Sequence, residues 1–177
     1  VIQVAQKSSA LDINAQFLQI REVKEQEGER FLRFSLNPET DGLTPLGDLQ
    51  EVINISLKNI LPVPQLTESI LGIINWRGKA TWIVDLPNLC GDRHWCRRSP
   101  IAETGMAMLV QWQGETIGLL IQEIKTIEVY DLEQCLPIPE EMFSQELSSL
   151  ALGYSLDSGG KTRIVLNISS IMEAINC

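Results

Sequence analysis

The sequence is poor in the residues that chemistry needs. A single histidine and four cysteines among 177 residues leave little for metal or nucleophilic work. Cys90, Cys96, Cys135 and Cys177 are scattered, which is not the spacing of a disulfide framework. His94 sits in a polar stretch and no glycine-rich phosphate cradle is present, so phosphotransfer has no obvious seat. Basic residues are also short: 14 Lys and Arg against 23 Asp and Glu give a net charge of -9. A surface this acidic does not attract nucleic-acid phosphates or anionic lipid through overall charge; it suits protein partners. No run approaches the roughly 18 apolar residues of a membrane span. Residues 1–10 lack the basic start and long apolar core of a secretion signal. The expectations are therefore no nucleic acid, no direct membrane insertion and a cytoplasmic protein.

What is present is enough for a real core, with 44% apolar and 21% charged residues. Residues 1–29 stand apart as a leader, flexible or partly helical. Ser9 is placed to cap a helix, and Ala10, Ile13, Phe17 and Ile20 follow at helical spacing. From Phe31 the period becomes that of strands. Residues 31–36 come close to alternating, with Asn37-Pro38 and Asp41-Gly42 as turn signals. Residues 53–57 alternate strictly, and 81–84 read as a buried strand, Trp82 included. Residues 106–112 and 115–121 flank the hairpin signal Gln113-Gly114; strands over 125–130 and 162–168 complete the set. Short helices are expected only over 69–74 and 168–175. Many short strands separated by turns predict an all-β sandwich or barrel.

The chain also repeats itself. Gln50-Glu51-Val52-Ile53-Asn54-Ile55 runs on to Leu61-Pro62-Val63-Pro64, as Gln122-Glu123-Ile124-Lys125-Thr126-Ile127 runs on to Leu136-Pro137-Ile138-Pro139. Leu71-Gly72 is echoed by Leu152-Gly153, and Gly78-Lys79 by Gly160-Lys161. Ordered echoes of this kind predict a duplicated β-subdomain of about 70 residues. The halves meet in the polar linker 91–100. Two like barrels side by side offer a groove and strand edges, which are binding surfaces.

Within the first repeat, Gly72-Ile73-Ile74-Asn75-Trp76-Arg77-Gly78 precedes Ile83-Val84-Asp85-Leu86 and follows the Pro62-Val63-Pro64 turn. This block resembles the signature of the CheW family of chemotaxis coupling proteins, and the likeness extends over about Phe31 to Ile175. The segment Glu51-Val52-Ile53-Asn54-Ile55 further resembles members tied to type IV pilus motility or phototaxis. The resemblance implies two five-stranded, Src-homology-3-like barrels packed side by side. The first would span about 30–92 and the second about 103–168, with a short helix over 168–175. It implies a non-enzymatic adaptor without cofactor, joining the cytoplasmic tip of a methyl-accepting receptor to a CheA-type histidine kinase. Trp76 departs from the small aliphatic usual at its position, and the 1–29 leader and the Arg93, Arg97, Arg98 cluster have no family counterpart.

Candidate contact residues follow from that likeness: Glu51, Val52, Ile53, Asn75, Trp76, Arg77, Gly78 and Asp85. Each has a plainer structural role to weigh against it. Arg77 either meets a receptor carboxylate or braces the barrels through Asp85. Asn75 and Gly78 read as turn-formers, and Val52 and Ile53 as core residues of an alternating strand. The chemical alternative is a structural zinc at Cys90, His94 and Cys96, three soft ligands where four are wanted, with Cys135 as a distant fourth.

Overall fold

A computed structural model describes residues 28–93, 103–139 and 141–175. His94, Cys96, Arg97, Arg98 and the leader up to residue 27 lie outside them. The described chain contains ten strands: β1 (Glu29–Ser35), β2 (Thr40–Pro45), β3 (Leu49–Ser56), β4 (Ile70–Trp76), β5 (Lys79–Asp85), β6 (Thr104–Trp112), β7 (Glu115–Ile121), β8 (Glu123–Tyr130), β9 (Ala151–Leu156) and β10 (Thr162–Leu166). Three helices join them: α1 (Leu86–Leu89), α2 (Gln145–Leu150) and α3 (Ile168–Ile175). The helix expected over 168–175 forms. That expected over 69–74 does not: Ile70–Trp76 is β4. An apolar run this short fits either period, and pairing with β5 decides it.

The strands form two five-stranded sheets, ordered β8-β1-β2-β10-β9 and β3-β6-β7-β5-β4. The sequence repeats, β1 to β5 and β6 to β10, are therefore not the sheets. Each sheet takes the first hairpin of one repeat and the last three strands of the other. The division of the barrels at 30–92 and 103–168 is corrected accordingly: the echoes report likeness, and pairing is reciprocal exchange.

Each sheet closes at its edges through the same device. Leu61, just before the first proline turn, exchanges two hydrogen bonds with Ile73 of β4, at 2.8 and 2.9 Å. Leu136 does the same with Tyr154 of β9, at 2.8 and 2.9 Å. The echoed glycines permit this. A Cβ on Gly72 would strike the Leu61 carbonyl, and one on Gly153 the Leu136 carbonyl and the Cys135 sulfur. Barrel I is the closed sheet containing β1; barrel II is the one containing β3.

Burial follows the two-residue period of strands. On β1, Phe31 points into barrel I with Leu43, Tyr130 and Val165, while Leu32 and Phe34 point out into a larger core between the barrels. That shared core draws Val52, Val84, Met108, Leu119, Ile164 and Ile171 from both sheets and α3. Barrel II is filled by Ile55, Ile74, Ile83, Ala107 and Leu120. Asp41-Gly42 proves to lie inside β2 rather than in a turn. Gly42 leaves room for the Phe34 ring laid across it. Trp82, expected in the core, is 38% exposed: it faces outward on β5, beyond the reach of the shared core.

Barrel I also holds an ion-pair network. Asp41 is fully buried and accepts from Arg33 Nε at 2.7 Å, Lys125 Nζ at 2.8 Å and Lys161 Nζ at 2.9 Å. Arg33 Nη2 reaches Asp157 at 2.6 Å, and Arg163 reaches Glu128 at 2.9 Å. Burial alone would raise the Asp41 pKa, but the three cations outweigh it and hold the carboxyl below its usual value.

Candidate functional site

The signature block lies at the tip of the β4–β5 hairpin. Arg77 and Gly78 form its two-residue loop with φ of 50° and 79°, the double positive φ of a type I′ turn. Gln113 and Gly114 repeat the geometry between β6 and β7, at 50° and 87°. Asn75 Oδ1 accepts from the Gly78 N–H at 2.9 Å and so fastens the loop. Asn75 and Gly78 thus serve the turn. The turn joins two strands, because the segment expected as a helix over 69–74 is β4.

The hairpin presents Arg77 to solvent in a fixed pose. Its side chain is 69% exposed; Nη2 donates to Glu51 Oε2 at 2.7 Å, and the guanidinium lies 4.7 Å above the Trp76 ring. Trp76 is half-buried and packs on the barrel II interior, giving the cation a rigid seat. An exposed pair of this kind adds only about 0–1 kcal/mol to stability. Its effect is orientation: it holds an exposed guanidinium in place, a planar fork of the kind that suits a planar anion.

Asp85 does not brace Arg77. It stands at the far end of β5, about 20 Å from the turn at strand rise. It is fully buried, with Oδ1 accepting from the Asn88 N–H at 3.2 Å as the N-cap of α1. Val52, 1% exposed, belongs to the shared core. The structure thus brings Glu51, Asn75, Trp76, Arg77 and Gly78 together at one tip, and turns Val52 and Asp85 inward.

Ile53 leads to a feature the sequence reading missed. A cleft of ≈ 590 Å³ runs between β3 and β4, floored by Ile53, Ile55, Leu61 and Ile74 and edged by Asn54 and Asn75. Leu61 is 63% exposed there. The signal in the sequence was the leucine opening Leu61-Pro62-Val63-Pro64, since a residue that bridges an edge strand ahead of a proline turn has one face left to solvent.

Of the zinc alternative, Cys90 alone has its surroundings described, apart from the distant Cys135. Cys90 is 5% exposed and packs in the shared core, where burial pushes its thiol up to about 12. Cys135 packs instead against the barrel I interior. Among the described residues, no three His, Cys, Asp or Glu gather as a metal site, and no helix is long and apolar enough to cross a membrane.

The fold defines the class first: a double β-barrel protein whose halves exchange hairpins around one shared core. The CheW-like domain model matches residues 30–176, and the chain belongs to that family. Among solved structures it is similar to the scaffolding protein TtCheW from Thermoanaerobacter tengcongensis, at 21% identity and a TM-score of 0.66. The likeness covers 81% of this chain and 87% of that one. No curated protein sequence matches the chain.

Proposed function

We propose that this protein is a non-enzymatic cytoplasmic scaffold. It couples the tip of a methyl-accepting receptor to a CheA-type histidine kinase in chemotaxis, phototaxis or pilus-based motility. The observation that carries the reading is the family match over residues 30–176. Two surfaces support it by offering separate docking places on two barrels that share one core. The barrel II tip gives Arg77, seated on Trp76 and Glu51, beside the apolar β3–β4 cleft. Barrel I gives an apolar edge from Leu136, Leu152 and Leu156, each more than half exposed. In this scheme the tip receives the acidic, helical receptor and the edge receives the kinase. Coupling then requires only that joint binding favour one arrangement of the partners.

The test is co-sedimentation with a receptor tip fragment and the regulatory domain of the kinase from the same source, with wild type beside Arg77→Glu. Wild type is expected to bind both, and the variant to lose the receptor by tenfold or more while keeping the kinase, because it sets two carboxylates against each other where a cation stood. Binding of neither partner by wild type would sink the proposal.

A further inference from the structure

The interiors of the two barrels differ in kind although the sequence repeats. Barrel II is apolar, its hairpin β6–β7 contributing Ala107 and Leu120 to Ile55, Ile74 and Ile83. Barrel I is half ionic. Its hairpin β1–β2 carries Arg33 and Asp41, while β8, β10 and the β9–β10 turn carry Lys125, Glu128, Asp157, Lys161 and Arg163. Four of the contacts join the hairpin to the strands of the other repeat: Asp41 to Lys125 and to Lys161, and Arg33 to Asp157 and to Glu128.

The backbone gives little ground for this exchange. Both hairpins lead into the next strand through short connections, residues 46–48 and residue 122, and both meet their neighbours in the same order. A hairpin closing on its own repeat would put β1 against β3 and β2 against β5. Asp41 would then be buried among Ile55, Ile74 and Ile83 with Arg33 as its sole partner. Lys125, Lys161 and Asp157 would meanwhile face Ala107 and Leu120. Both errors set charge against apolar side chains with fewer partners than it has now, Asp41 most of all because it alone is fully buried, and a matched apolar contact does not return that cost.

We propose that the ion network of barrel I selects which hairpin closes which barrel, so that the repeats exchange hairpins instead of closing on themselves. Charge acts here as an address. The pairs fix which strands meet, a role in which buried polar groups are best attested.

The test is cross-strand NOE spectroscopy on the isotopically labelled full chain. Wild type is expected to show one set of contacts, Phe31 with Glu128 and Arg33 with Thr126 as registered partners. Two variants strip the address, the first by half, since Arg33 keeps Asp157 and Glu128, and the second in full. Lys125→Met/Lys161→Met removes the barrel partners of Asp41. A fuller one adds Arg33→Met, Asp41→Leu, Glu128→Leu, Asp157→Asn and Arg163→Met, since apolar replacement of such networks is commonly tolerated. The expected result is a second set of peaks placing β1 against β3 and β2 against β5, with a matching loss of the β1–β8 set. A single wild-type set in the folded fuller variant would overturn the proposal. So would failure of both to fold cooperatively, because the network would then be a requirement for stability and no selector.

Discussion

Asp41→Asn separates charge from shape at the centre of the network. The substitution keeps the volume of a side chain with no exposed surface and removes the charge that three cations share at 2.7, 2.8 and 2.9 Å. Removing one partner of a buried ion pair costs about 3–5 kcal/mol, because the other charges stay desolvated. Lys125 and Lys161 are 29% and 28% exposed and regain some water, and Arg33 keeps Asp157, so the lower end, about 3 kcal/mol, is expected. For a domain of this size that corresponds to a Tm lowered by about 6–12 °C. Urea unfolding followed by tryptophan fluorescence reads the free energy directly. The pH dependence carries the sign. The folded carboxyl titrates below its ordinary 3.8, so its stabilisation is fully present above that value and is lost as pH falls through the lower folded value. The gap between wild type and Asp41→Asn should therefore hold at neutral pH and close only below 3.8. A loss under about 1 kcal/mol at pH 7, the range of exposed pairs, would refute the reasoning and show that water already serves these cations.

Two further outcomes follow from closure and burial. Gly72→Ala places a methyl group against the Leu61 carbonyl at a backbone φ of 140°, so a loss of about 2–4 kcal/mol is expected, with faster hydrogen exchange at the Leu61 and Ile73 amides as the specific mark of an opened barrel. Cys90, 5% exposed with its thiol raised to about 12, should resist iodoacetamide at pH 8 in the folded protein and label fully in urea, whereas half-buried Cys135 reacts faster; peptide mass spectrometry reads both.

The sequence alone determined what is local or repeated. Strand pattern and content located seven of the ten strands, missing β2, β4 and β9, Gln113-Gly114 located a hairpin, and the paired echoes of Leu-Pro-x-Pro and Leu-Gly marked a duplication. Those motifs are legible because each answers a constraint within a few residues: a positive φ, a missing Cβ, a bridge before a proline. The tip residues Asn75, Arg77 and Gly78 were legible for the same reason. Tertiary structure decided what distant segments do to one another. Ile70–Trp76 is a strand because β5 lies beside it, and Asp41-Gly42 is strand interior because a ring and three cations cover it. Asp85 proved to be a buried cap, while Glu51 proved to be the partner of Arg77. Above all, the exchange of hairpins rests on pairs such as Arg33 with Asp157, 124 positions apart. Local patterns state which face of a strand is apolar. Only the folded chain, balancing buried charge against buried charge, states which strand lies next to it.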